Sequence, residues 1–257
     1  MNYLRKFLIC ILTVFLLACG TSAPTSDAAP ADVSHAAWDK LLKKHVNAQG
    51  MVNYKGFKQD RAELKKYLDQ LSKNAPNPKT WSKDEQLAYW INAYNAYTVE
   101  LILEYYPLKS IKDIGSSIKI PFVNTPWDIK FIEIGGKKMD LNNIEHGIIR
   151  KQFNEPRIHY ALVCAALSCP PLRNEAFLPE KLDKQLDDQG RAFLNDPTKN
   201  VVTKDKASIS KIMDWYGGDF KKKMPIRDWV NQYANTKLSE GGSISFMDYN
   251  WTLNEQK

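Results

Sequence analysis

Between residues 146 and 169 lie four side chains able to do nucleophilic, redox or metal chemistry: His146, His159, Cys164 and Cys169. A thiolate beside an imidazole is a nucleophile with its base. Two thiols in an oxidising compartment close to a disulfide. Two histidines with two cysteines form a valid zinc set. Spacing separates these three chemistries.

A 164–169 disulfide has to bring together residues that five extended steps would hold about 16 Å apart, whereas bridged Cα atoms lie roughly 4.4–6.8 Å apart. The chain must therefore turn back sharply, which Ser168 and Pro170 allow without requiring. For zinc, His146, His159, Cys164 and Cys169 lack the tight Cys-x2–4-Cys knuckle of structural sites, so neither a metal nor another cofactor is expected. For a nucleophile, RIHYALVCA reads as a buried strand. It places Ile158, Tyr160, Leu162 and Cys164 on one face and His159 on the other with Ala161 and Val163. A helix would also turn His159 away from Cys164, by about 140°. His146, on a separate element, is the imidazole free to approach Cys164, and Glu145 stands next to it.

The elements that would position these groups follow from periodicity. Helical spacing runs over Trp38–Val46 and Asp60–Leu71, and Ser82 with Glu85 forms a capping box. The helix it opens, DEQLAYWINAYNAYTVELILEYY, is apolar nearly all round and stops before Pro107. Asn92 and Asn95 share one of its faces. They either hydrogen-bond a neighbouring loop or orient a catalytic imidazole, as asparagine does in papain-like sites. An irregular connection follows over 111–126, then a hairpin at 129–141 turning on Gly135-Gly136. Asp140 can cap a helix through Arg150 whose buried stripe is Leu141, Ile144 and Ile148. Later come a helix over 178–194, a strand pair at 200–210, KIMDWYGGDF as a short helix into a Gly-Gly bend, a helix at 227–234, and an extended aromatic-rich segment at 244–253. Several helices with a few short strands predict an α+β fold: one helix-rich domain with a small, mostly antiparallel sheet.

The N-terminus predicts an exported protein. Arg5 and Lys6 precede an apolar run, Phe7–Leu17, too short to span a bilayer comfortably, and Leu-Leu-Ala-Cys-Gly resembles the bacterial lipobox. Residues 1–18 are expected to be a signal peptide, Cys19 the lipidated first residue, 19–33 a small polar tether, and 34–257 the globular domain. Gly20 after the cysteine favours the outer membrane, facing the periplasm, in a Gram-negative host. Net charge is +7, and loss of Arg5 and Lys6 with the signal leaves +5. The lysines are scattered without a basic stripe or interleaved aromatics, so nucleic acid is not an expected partner. The expected partner is the membrane, through Cys19.

AYWINAYNAYTVELILEYYP, DLNNIEHGIIR, EPRIHYALVCAALSCPPLR and KIMDWYGGDF, in this order, resemble the domain-of-unknown-function 547 family, most strongly over about 80–195. The resemblance implies no established activity. In plant relatives it implies that the counterparts of Glu145-His146 and Cys164 are kept, while serine tends to replace Cys169 and the counterpart of His159 varies. A disulfide or four-ligand metal site would then not be a family-wide feature, and the Cys164–His146 pairing would remain.

The expected function is a cysteine-dependent hydrolase or acyl transferase of the cell envelope. Cys164 is its nucleophile, His146 its base, Glu145, Asn92 or Asn95 the orienting group, and amides around Ala165 and Ala166 an oxyanion hole. Peptide or cell-wall bonds are the natural substrates by location. The rival is a non-catalytic binding or scaffolding module in which Cys164 and Cys169 are a structural pair.

Overall fold

Ser82 and Glu85 satisfy each other's backbone amides, Glu85 N donating to Ser82 Oγ at 3.2 Å and Ser82 N to the Glu85 carboxylate at 2.5 Å. The helix opened by this capping box, α4 (Lys83–Tyr105), is the axis of the molecule, and it ends at Tyr106, which precedes a proline and is extended. In the computed structural model, which describes residues 33–116 and 125–257, α4 is buried along nearly its whole length. Helices α2 (Tyr54–Gln59) and α3 (Arg61–Lys73) pack against it, α1 (Ala36–His45) packs on these two, and Tyr89 of α4 donates to the Leu71 carbonyl at 2.7 Å. The expected signal peptide, most of the tether with Cys19, and 117–124 of the irregular connection lie outside the described residues. Val33, expected to close the tether, is instead buried in the core.

The hairpin forms as expected from β1 (Ile132–Ile134) and β2 (Lys137–Met139), paired Ile132 to Met139 and Ile134 to Lys137. Gly135 and Gly136 take φ +59° and +72°, the two positive values of a type I′ turn. Asp140 then caps the next element, accepting from Asn143 N at 2.6 Å. That element is wound as a π-helix over Asn143–Ile149 before Arg150–Gln152 resumes α geometry. The wider turn replaces Ile148 by Ile149 as the fully buried residue after Ile144 and sinks Glu145 into the protein beside it. Such i→i+5 stretches concentrate at functional sites.

The strand expected at 157–165 is not one. Pro156 starts a 3-10 turn, Pro156–Tyr160, and the chain then runs irregularly to Cys169. Helix α5 (Leu182–Leu194) lies against that turn. A three-stranded mixed sheet follows: β3 (Val201–Val202) antiparallel to β4 (Lys206–Ile209), and β4 parallel to β5 (Ser243–Phe246). Between β4 and β5 run α6 (Ile212–Trp215), α7 (Gly217–Lys221) and α8 (Ile226–Tyr233). Gly217 and Gly218 open α7 rather than forming the expected bend. The fold is α+β, as the sequence predicts. Its buried side chains form two clusters, a large one around α4 and a smaller one around Tyr160, Phe193, Phe220 and Trp229. Among the described residues no helix is long and apolar enough to cross a membrane.

Candidate functional site

A cavity of about 280 Å³ opens at the seam of the two clusters. Five segments build it: α4 gives Tyr94, residues 125–127 give Thr125 and Trp127, the π-helix gives Glu145 and His146, the 159–169 stretch gives His159, Cys164 and Cys169, and the C-terminal region gives Trp215, Tyr216, Tyr249 and Trp251. Glu145, His146 and Cys164, the three residues the sequence expects to act together, therefore face one space.

Cys164 and Cys169 are joined by a disulfide with Cα atoms 6.1 Å apart. The sharp turn this needs comes from two places. Ala165 adopts φ +58°, a left-handed conformation that costs a non-glycine residue energy. Cys169 N then donates to the Ala166 carbonyl at 3.0 Å, closing a turn. Neighbours hold the strained residue in place: Asn254 N donates to Ala165 O at 3.2 Å, and Leu167 N to Thr252 O at 2.8 Å. Cys169 is buried, Cys164 half-buried, and the Tyr249 hydroxyl lies 3.1 Å from Cys164 Sγ. With its sulfur bonded to Cys169, Cys164 has no thiolate to attack with in this state. The same bond removes both sulfurs from the zinc set, and no group of three or more possible metal ligands occurs among the described residues.

Neither asparagine orients an imidazole. Asn92 donates to Phe177 O at 2.7 Å and accepts from Phe177 N at 3.0 Å. Asn95 donates to Ala161 O at 2.9 Å and accepts from Val163 N at 3.0 Å. Each spends its carboxamide on a backbone segment that lacks secondary-structure partners, which is the loop-tying alternative. Asn95 thereby fixes the chain just before Cys164.

His146 is exposed. Its Nδ1 lies 3.0 Å from an Arg150 guanidinium nitrogen and 3.7 Å from Glu145 Oε1. The expectation that His159 turns away from Cys164 fails with the strand on which it rested, since both line the cavity. His159 is buried, stacks on Tyr216 with centroids 3.8 Å apart, and places Nε2 3.0 Å from Asp219 Oδ2. Burial lowers its pKa, against the opposing pull of Asp219, to whose carboxylate Nε2–H donates. The hydrogen bond from His159, followed by those from Arg150 and Lys222, holds Asp219 far below the usual carboxylate range. The Glu145 carboxylate is buried. Desolvation first, then its negative charge, pushes the phenols of Tyr94 and Tyr216 well above their ordinary range.

Residues 78–194 match the family described as Protein of unknown function, DUF547. The chain carries a DUF547 domain. No curated protein and no solved structure matches the chain. The DUF547 region supplies Tyr94, Trp127, Glu145, His146, His159 and the disulfide. Trp215, Tyr216, Tyr249 and Trp251 lie beyond it. These aromatics are what sequence reasoning missed as site residues. The signals were present, in KIMDWYGGDF and the aromatic-rich 244–253 segment, but nothing local ties them to Glu145.

Proposed function

We propose that this protein is a ligand-binding module of the cell envelope, tethered through lipid on Cys19, whose site is the cavity at Glu145. The observation that carries the reading is an aromatic-walled space holding one buried carboxylate, while the sulfur that would make it a cysteine enzyme is bonded to Cys169. An apolar pocket with a few convergent polar groups is the usual form of a small-ligand site. The test is a thiol count by mass spectrometry on exported, non-reduced protein. The expected result is no free thiol at Cys164 or Cys169; a largely reduced pair would refute a structural disulfide. Palmitate incorporation that disappears in Cys19→Ala checks the anchor, and incorporation that persists refutes it.

A second reading is supported by the convergence of Cys164, His146 and Glu145 on that cavity. On reduction, Cys164 becomes the nucleophile of a hydrolase or acyl transferase, with His146 as base and peptide or cell-wall bonds as substrates. Iodoacetamide labelling of reduced protein across pH should then show a depressed Cys164 thiol pKa that returns to normal in His146→Ala. Labelling that follows an ordinary thiol in both proteins sinks this reading.

A further inference from the structure

The chain has 36 lysines and arginines, yet among the described residues none lines the cavity at Glu145. Its carboxylate is the buried Glu145; of its two imidazoles, His159 is buried, which lowers its pKa, and His146 is exposed beside Arg150. Near the wall, Arg150 is matched by Asp219 at 2.6 Å and lies over the Tyr216 ring, and Lys112 Nζ lies over the Trp251 ring, 5.0 Å from its centroid. Much of the remaining wall is aromatic, with Thr125, Asn142, Leu162 and Ile212 beside it. Tyr249 and Trp251 have centroids 4.6 Å apart at 52°, Trp215 and Tyr249 4.8 Å apart at 47°, and Trp127 and Trp251 5.9 Å apart at 68°. Trp215 and Trp251 stack with centroids 5.9 Å apart at 23°, so the four rings form one contiguous aromatic cluster on the cavity wall. Trp215, at the rim, is 48% exposed.

We infer that this cavity binds an organic cation of the quaternary ammonium class, with Trp127, Trp215, Tyr249 and Trp251 as the box and Glu145 as the counter-charge. This rests on the reading of the cavity as a ligand site. Indole and phenol faces carry negative electrostatic potential and attract a cation placed over them. A methylated ammonium suits such a box because its charge is spread over apolar methyl groups and gives up water readily. A lysine-like ammonium would ask for several hydrogen-bond acceptors instead. Volume agrees: about 280 Å³ is at the small end of ligand sites, which run about 300–1,000 Å³, and fits a head group rather than a large molecule.

Sugar is the other ligand that stacks on tryptophan, and the polar lining argues against it. A sugar ring needs a fan of free donors and acceptors. Here Thr125 Oγ1 and Asn142 Nδ2 both donate to Asp128, at 2.8 Å each. His159 is spent on Asp219, and the Tyr249 hydroxyl lies against Cys164 Sγ. Glu145, with which the Tyr94 and Tyr216 phenols hydrogen-bond, is the one charged acceptor.

The test titrates the oxidised, exported protein by tryptophan fluorescence and calorimetry with choline, and with 3,3-dimethylbutan-1-ol, which has the same shape without the charge. Choline is expected to bind at least tenfold more tightly. Glu145→Gln should abolish that preference, and Trp215→Ala, at an exposed position that threatens folding little, should weaken choline binding at least tenfold. Vesicles bearing phosphocholine headgroups, run beside free choline, distinguish a lipid-borne source from a soluble one, and retention of either supports the proposal. Equal affinity for the neutral isostere overturns it, as does choline binding that Trp215→Ala leaves intact, or no binding of either choline form. Trp215-dependent binding of an N-acetylglucosamine oligomer in place of choline overturns the cation and keeps the ligand site. Silence towards choline, isostere and saccharide alike counts against both.

Discussion

Asn95→Ala is the most direct test of how this fold positions its site. Asn95 is 2% exposed, and its carboxamide bridges Ala161 O and Val163 N, leaving the loop on course for Cys164. Truncation strands one buried acceptor and one buried donor, each costing about 1–3 kcal/mol when unpaired. Water entering the vacated space recovers part of this, so the expected loss is about 2–4 kcal/mol. In a domain of this size about 3 kcal/mol corresponds to a fall of roughly 6–12 °C in Tm. Asn95→Asp should recover little, because a carboxylate accepts from Val163 N but faces the Ala161 carbonyl without a proton to give. Asn92→Ala is the control. It strands the donor and acceptor of Phe177 in the same way, at a segment that does not line the cavity. Urea unfolding followed by tryptophan fluorescence reads stability, and alkylation of reduced protein reads the accessibility of Cys164. Both variants should lose stability, and only Asn95→Ala should change the Cys164 labelling rate. A loss below about 1 kcal/mol for Asn95→Ala, or equal labelling changes in both, would refute the assignment of Asn95 as the tie that places this loop.

Three further outcomes are expected. Breaking the Cys164–Cys169 bond by Cys169→Ser releases a loop of sequence separation 5, worth about 2 kcal/mol by loop-closure entropy, read as a shift in the denaturation midpoint that reductant reproduces in the parent protein. His35, buried against Tyr67, has its pKa lowered by desolvation from 6.5 to about 4. Its neutral form is the one the fold holds, so this contribution is complete above pH 6.5 and is lost as pH falls towards 4. Stability should drop by about 2–3 kcal/mol between pH 7 and 4.5, and His35→Gln should flatten that part of the profile. Gly50 sits at φ +73°, and a Cβ there would come 2.4 Å from Pro171 Cβ and 2.6 Å from its Cα. Gly50→Ala should therefore destabilise by more than about 1 kcal/mol, measured by thermal unfolding, because strain and backbone clash add.

What was legible in the sequence was local. The capping box at Ser82, the stop before Pro107, the Gly-Gly hairpin and the shared face of Asn92 and Asn95 all depend on residues within a few positions of one another. The stretch RIHYALVCA was misread for a physical reason. An apolar run bounded by turn signals fits a buried strand, yet a strand needs a partner strand. Here the backbone is served by the Asn95 side chain and by residues 250–254 at the far end of the chain. No periodicity within the run encodes that. The error carried through to His159, which strand alternation turns away from Cys164 and the actual 3-10 turn and loop bring to the same cavity. The π-winding of 143–149 was likewise invisible, since one i→i+5 turn shifts the buried position by a single residue, from Ile148 to Ile149.

The C-terminal segment makes the site a product of the whole fold. Its backbone accepts from Leu167 N and Ser168 N, and Asn254 O accepts from Val52 N while its side chain accepts from the Tyr54 hydroxyl at 2.7 Å. One stretch thus clamps the cysteine loop to the N-terminal helices and delivers Tyr249 and Trp251 to the cavity. The carboxylate, imidazoles and disulfide come from within 78–194, whereas most of the aromatic wall comes from beyond it. Polar chemistry and ligand-selecting surface therefore reside in separate stretches, joined by backbone hydrogen bonds rather than by sequence proximity. Substitutions at Trp215 or Trp251 can reshape what the cavity accepts while leaving the Asn95 tie and the Glu145–His146 pair in place. Substitutions at Asn250 or Asn254 loosen both parts together, because the clamp and the wall share one backbone.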